Sequence, residues 1–342
     1  MKMYTDNVIL NIGPCSFRYD KDKTGGIVVL FEQWLTYCRE IGINTIIVDT
    51  NKHNYSNRIM AYLNILWQIL TTFSKVDILF LHGTLNDYLL IAPFVVCLSK
   101  CTKKRVAIRK FAGNFEQYYF TCGRIKRFIL NYVLKNANVV FWETKSLVRF
   151  GEKLNPDTYW FPNVRQATNI RRGARPYEKR FCFLSRVEEM KGVDILMTCF
   201  SNLDTNYQLD IYGPVIGYSL EDLEGKNYKY KGMVEPQNVC RVLAQYDVLI
   251  LPTLWKAEGY PGVIIEAFSV GIPVISTKMG AIPELIKQGV NGFLVEAGET
   301  ESLKDAILQI SQDTYFKLHE GALSSFNLFD ANQVNNHIVK LL

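Results

Sequence analysis

The stretch Tyr246–Glu296 constrains the fold more than any other part of the chain. Asp247 opens an apolar run, Val248-Leu249-Ile250-Leu251, that reads as a buried strand and stops at Pro252. A loop follows, with Pro261 at the start of a short helix and Gly271 at its end. Pro273 then precedes a second apolar strand, Val274-Ile275-Ser276. Strand, loop, helix, strand is the repeating unit of a parallel sheet. The helix is apolar around most of its circumference, through Val263, Ile264, Ile265, Ala267, Phe268 and Val270, and so is buried on most sides. Glu266 interrupts it on a narrow stripe shared with Gly262 and Ser269. A carboxylate so placed needs a partner, because an unpaired buried charge is costly.

Glu258 lies eight positions before Glu266, and Gly259 and Gly262 leave backbone amides uncovered at the helix start. Free N–H groups and the helix dipole both favour an anion there. The whole string, E-G-Y-P-G-V-I-I-E-A-F-S-V-G-I-P-V-I-S-T, resembles the E-x7-E motif of the retaining, family 4 (group 1) type of GT-B glycosyltransferase. The resemblance continues through Gly280–Ile286 and Gly289–Val295. It implies an α/β GT-B fold of two doubly wound Rossmann-like domains facing across a cleft. The activity it implies is transfer of a sugar from a nucleotide diphosphate, a UDP sugar first, to a hydroxyl acceptor with retention and without a metal. Glu266 would then hold the donor ribose. Glu258 would hold the donor sugar, beside the backbone of Gly259, Tyr260, Pro261, Gly262 and Val263.

Alternating strands and helices run along the rest of the chain. The expected organisation is an acceptor-side domain over residues 1–163, a linker over 164–179, a nucleotide-sugar domain over 180–330, and a last helix, 331–342, crossing back to the first domain. In the second domain a strand at Phe181–Leu184 leads into Ser185–Gly192. Arg186 and Lys191 put two cations at one strand-to-helix turn, unfavourable for the dipole unless an anion sits there. The resemblance implies that they hold the donor diphosphate. Gly213, at the end of the Gln208–Tyr212 strand, joins the expected donor contacts, and the backbone of Met233 and Val234 would lie against the base.

In the first domain the pair Gly25-Gly26, between a strand at Val8–Ile12 and a helix, would let a ligand approach the backbone closely. It is not the G-x-G-x-x-G of a dinucleotide site, which argues against a dehydrogenase. Asp20-Lys21-Asp22 has the form of a metal-binding D-x-D, but its lysines suit a solvated loop better. His82 follows an expected strand over Asp77–Leu81, where ligands bind in parallel sheets, and is a candidate catalytic residue. Tyr88–Ser99 reads as one apolar helix. Phe111 and Ala112 stand where many members of the resembled family carry a histidine.

Lys100–Lys135 is the most basic segment, with Phe111, Phe115, Tyr118, Tyr119, Phe120 and Phe128 interleaved. Such a mixture suits an anionic membrane surface or a lipid-linked acceptor. It would also suit nucleic acid, but no nucleic-acid module accompanies it, so none is expected as a partner. Eight scattered cysteines and four histidines give no zinc-like spacing. No signal peptide or membrane span is legible, so the expected location is the cytoplasm, peripheral on the membrane face. The main alternative is a non-catalytic GT-B subunit that binds a nucleotide or a partner enzyme. No cofactor is expected, the nucleotide sugar being a co-substrate.

Overall fold

A computed structural model describes residues 7–16, 26–111, 113–170 and 175–342. The chain divides into two compact units, residues 1–162 with 334–342, and residues 163–333.

The first unit runs β1 (Ile9–Gly13), α1 (Gly26–Glu40), β2 (Thr45–Asp49), α2 (Arg58–Thr72), β3 (Ile78–Gly83), α3 (Leu85–Leu90), α4 (Ala92–Thr102), β4 (Arg105–Lys110), α5 (Phe115–Thr121), α6 (Arg124–Asn136), β5 (Val139–Trp142), α7 (Lys145–Gly151) and β6 (Thr158–Trp160). Its strands form one parallel sheet in the order β2-β1-β3-β4-β5-β6. Strands of a parallel sheet are covered on both faces and so read as apolar runs. Leu79, Leu81, Val106 and Ile108 pack with α2, α4 and α6 on one face. Phe80, Ala107 and Phe141 pack with Phe31, Trp34 and Phe161 on the other.

The second unit runs β7 (Arg180–Leu184), α8 (Val193–Ser201), β8 (Gln208–Tyr212), β9 (Tyr228–Tyr230), α9 (Val239–Leu243), β10 (Val248–Leu251), α10 (Gly262–Ser269), β11 (Val274–Thr277), α11 (Ile282–Leu285), β12 (Gly292–Val295), α12 (Thr300–Leu308) and α13 (Gln312–Phe326), and the chain ends in α14 (Ala331–Leu341). The sheet order is β12-β11-β10-β7-β8-β9, again parallel. Strand order therefore reverses between β7 and β10, and the crevice outside their carboxyl ends is where ligands bind in sheets of this kind. From Val334 on, α14 belongs to the first unit: Tyr37 donates to Asn336 Oδ1 at 2.6 Å, and Ile338 joins the core around Trp34.

Three elements differ from the sequence expectation. The single apolar helix over Tyr88–Ser99 is two helices, α3 and α4, because Pro93 favours a new helix start after Ile91. Strand β3 runs past Leu81 to Gly83, pairing His82 with Arg109 and Gly83 with Lys110, so His82 lies inside a strand and not beyond its end. Strand β4, expected from the sequence over Val106–Ile108, likewise extends to Lys110. Arg109 and Lys110 are therefore buried in the sheet and form no part of a basic surface.

Candidate functional site

The crevice of the second unit is built from the turn after β7 and the loop after β10. A tight helical turn, Glu189–Lys191, closes on Gly192 in the left-handed region at φ +77°. A Cβ at Gly192 would lie 2.1 Å from the Pro252 carbonyl oxygen, so glycine lets the two segments touch. Leu254 N donates to Met190 O at 2.9 Å and stitches them together.

This contact brings Lys191 Nζ to Glu258 Oε2 at 2.5 Å, both side chains largely buried. Thr253 Oγ1 donates to the same oxygen at 3.0 Å. The backbone of Glu258 is held as well. Ala281 N donates to its carbonyl at 2.9 Å, and Gly280, at φ +52°, lies so close that a Cβ would come 2.1 Å from that oxygen. Arg186 is more exposed and pairs with Glu188 at 2.8 Å. Each cation of this turn thus has a carboxylate partner, which corrects the expectation that only a bound anion could balance the two. What they offer a phosphate is the rest of their donors: with one N–H of each on its carboxylate, about two remain on the lysine and about four on the arginine.

Glu266 has the partner that its stripe demands. Arg165 Nε donates to Glu266 Oε1 at 2.6 Å, with side-chain exposures of 17% and 21%. The small-residue stripe makes room for it: a Cβ at Gly262 would lie 1.6 Å from an Arg165 guanidinium nitrogen. Arg165 also donates to Asn163 Oδ1 at 2.5 Å and to Val164 O at 2.9 Å. Its backbone exchanges hydrogen bonds with Phe329 and Ala331, so this end of the expected 164–179 linker is built into the second unit. Sequence reading missed Arg165. The lone carboxylate beside Gly262 was the signal that a partner had to exist, but nothing local says that it is a cation or which one.

The remaining expected donor contacts fall around the same crevice or behind it. Helix α10 starts at Gly262, so the amides of Gly262 and Val263 lie in its first turn, without intrahelical acceptors. Pro261 caps that helix, and Gly259 is half-buried beside it. Tyr260 turns its side chain inward, donating to Glu284 at 2.5 Å and lying edge-on to Phe329, so only its backbone faces the loop. Gly213 is buried at φ +132°, where a Cβ would meet the Ser185 carbonyl at 1.8 Å. It lets β8 leave the sheet beside the β7 turn. Met233 is exposed and Val234 half-buried, on the loop after β9.

The first-unit candidates separate. Gly26 opens α1, while Gly25, Asp20-Lys21-Asp22 and Ala112 lie outside the described residues. His82 is fully buried, its ring centroid 4.0 Å from Phe80 and 4.9 Å from Phe31. Among the described residues neither ring nitrogen has a hydrogen-bond partner. Burial, then the nearby Arg109 charge, holds its pKa well below the ordinary value. Neutral His82 is an aromatic member of the core. Arg109 is also buried, 3.4 Å over the Phe161 ring and donating to Pro162 O at 3.2 Å. Burial pulls Lys110 down to about 8, against the raising pull of Glu143 and Asp87. Among the described residues no group of three or more His, Cys, Asp or Glu could hold a metal ion.

Residues 178–313 match the family model of group 1 glycosyl transferases. The second unit belongs to that family. The amylovoran biosynthesis glycosyltransferase AmsK of Erwinia amylovora is 36% identical over 150 residues, 39% of this chain and 36% of that protein. An uncharacterized 41.2 kDa protein of the Klebsiella pneumoniae cps region is 32% identical over 114 residues, 33% of this chain and 31% of that one. These matches span only about a third of the length of either relative. In structure the chain resembles Anabaena Alr3699/HepE solved with UDP, at TM-score 0.72 and 15% identity over 98% of each chain. It resembles the sucrose-phosphate synthase of Thermosynechococcus elongatus at 0.73 and 14%, also over 98% of each. The fold is GT-B.

Proposed function

We propose that this protein is a retaining glycosyltransferase that moves a sugar from a nucleotide diphosphate donor, a UDP sugar, to a hydroxyl of a glycan or lipid-linked acceptor during surface-polysaccharide assembly. The observation that carries this reading is the Lys191–Glu258 pair at the point where strand order reverses. A leaving diphosphate needs preorganised positive charge, and Lys191, Arg186 and the first-turn amides of α10 supply it without a metal. Glu258 holds hydroxyls of the transferred sugar, and Glu266, oriented by Arg165, accepts from the ribose hydroxyls. Retention follows if the leaving phosphate oxygen takes the acceptor proton on the same face, a route that asks neither glutamate to act as nucleophile. The UDP in the HepE structure and the glycosyltransferase name of AmsK support the reading.

The same proposal places the protein at the cytoplasmic face of a membrane. Helix α6 and its approach expose Phe120, Ile125 and Phe128 beside Arg124 and Lys126, an apolar and cationic combination suited to anionic headgroups. Among the described residues no helix is long and apolar enough to cross a membrane.

Thermal unfolding with UDP, GDP, ADP or no nucleotide, on wild type and Glu266→Ala, tests the donor assignment. Ligand at about a hundredfold over Kd stabilises by about 2.7 kcal/mol. A shift with UDP that is lost in the variant, followed by turnover of a UDP sugar, is the expected result. No shift with any nucleotide would sink the reading, and a shift without turnover would favour a non-catalytic subunit.

A further inference from the structure

The first unit has its own reversal of strand order, between β1 and β3, and a cavity of about 500 Å³ opens at the carboxyl ends of β1, β2 and β3. That volume lies within the range of small-molecule sites, roughly 300–1,000 Å³. Thr50, Lys52, Arg58, Tyr62, Asn86 and Asp87 are among the residues of its wall. Charge at this wall is unevenly balanced. Both oxygens of Asp87 are engaged, one by Lys52 Nζ and the other by Thr84 N at 2.9 Å and Thr84 Oγ1 at 2.7 Å. Lys52 also lies over the Tyr62 ring. Arg58 has no ion pair among the described residues, and it stands in the first turn of α2, where the dipole adds positive potential. Thr50 supplies a separate sign of a ligand: it is 1% exposed, and its Oγ1 has no hydrogen-bond partner among the described residues. Buried hydroxyls are nearly always satisfied, so an orphan at a polar cavity wall marks a contact that a ligand completes.

We infer that this cavity binds a saccharide unit carrying one anionic group, a carboxylate or a phosphate, with Arg58 on the anion and Thr50, Tyr62 and Asn86 on the sugar hydroxyls. One uncompensated cation among neutral hydroxyl and amide groups matches a ligand of one negative charge and many hydroxyls. That this ligand is the acceptor rests on the function proposed above; that the cavity binds it does not.

Calorimetric titration of the full chain with glucuronate, glucose 6-phosphate, glucose and inorganic phosphate tests the site, with and without saturating UDP. The wild type is expected to bind one of the two anionic sugars at least tenfold tighter than glucose and than phosphate, and UDP is expected not to compete. The tighter of the two identifies the anion. Arg58→Gln, an exposed position, should abolish the preference over glucose. Thr50→Val should weaken both sugars while leaving that preference and leaving the unfolding midpoint unchanged or higher, since it removes an orphan hydroxyl. Equal binding of glucose, equal binding of inorganic phosphate, an undiminished preference in Arg58→Gln, or no saturable binding by either anionic sugar would overturn the inference. A UDP shift that fails while anionic sugar still binds would remove the donor reading and leave this site standing.

Discussion

Arg165 Nε and Glu266 Oε1 lie 2.6 Å apart, although 101 positions separate them in the chain. The pair couples the segment that opens the second unit to the one carboxylate of an otherwise apolar helix. Removing Arg165 leaves a largely buried carboxylate with water on one side only. Arg165→Met should therefore cost the second unit about 1–3 kcal/mol, less than the loss of a fully buried pair. A double-mutant cycle with Glu266→Gln in urea should show a coupling of about 1 kcal/mol or more. Additive losses would mean that the pair contributes little.

Gly262 and Gly192 should respond to alanine in opposite ways. At Gly262 the new methyl meets the end of the flexible Arg165 side chain, so the fold yields easily, but the guanidinium leaves Glu266. Gly262→Ala should therefore lose no more stability than Arg165→Met, and both should weaken nucleotide binding, because each leaves Glu266 without its cation. At Gly192 the methyl meets the Pro252 carbonyl, and φ is +77°. Gly192→Ala should lose more than about 2 kcal/mol, because both backbone strain and a backbone clash act there. Parallel melts and nucleotide titrations check the contrast.

Lys191→Met removes the buried ammonium from Glu258 and from any diphosphate in the crevice. Loss of one such electrostatic donor typically costs about 10²–10³ in kcat. The expected result is a fall of that size in kcat with a UDP sugar, whereas Arg186→Met, at a more exposed cation, should raise KM more than it lowers kcat. Equal effects at the two positions would show that burial does not separate their roles.

His82 makes a pH prediction. Its folded pKa is depressed well below 6.5. The unfolded chain therefore takes up the proton first, and the stability present above about pH 6.5 is lost as pH falls below it. The slope is about 1.4 kcal/mol per pH unit for one such group. His82→Phe, which keeps a ring among Phe31, Phe80 and Trp34, should remove that slope from urea titrations at pH 4.5–6.5 while leaving activity in place at pH 7.5. Loss of activity at pH 7.5 without loss of stability would return His82 to the catalytic candidates.

Much of the fold was legible from apolar runs and their punctuation. Val248–Leu251 and Val274–Ser276 are strands because parallel sheets bury both faces, and the glycines and prolines between them mark the turns. Glu258, Glu266, Arg186 and Lys191 were legible as charges at strand ends or on an apolar helix, where charge is costly without a purpose. The register of β3 on β4 was not. Two further residues of pairing decide that His82, Arg109 and Lys110 are core and not surface, and pairing depends on a neighbour strand that no local pattern specifies.

The sequence by itself determined the alternation of strands and helices, the E-x7-E stretch, and the need of Glu266 for a partner. Only the tertiary structure decided that this partner is a cation, Arg165, and that Lys191 meets Glu258. It also decided that Arg109 and Lys110 of the basic segment are buried, while its other cations stay exposed or half-buried. Apolar periodicity is a local property, written within a few residues. An ion pair between residues tens of positions apart depends on where the sheet order carries each strand end, and that is set by the packing of the whole unit.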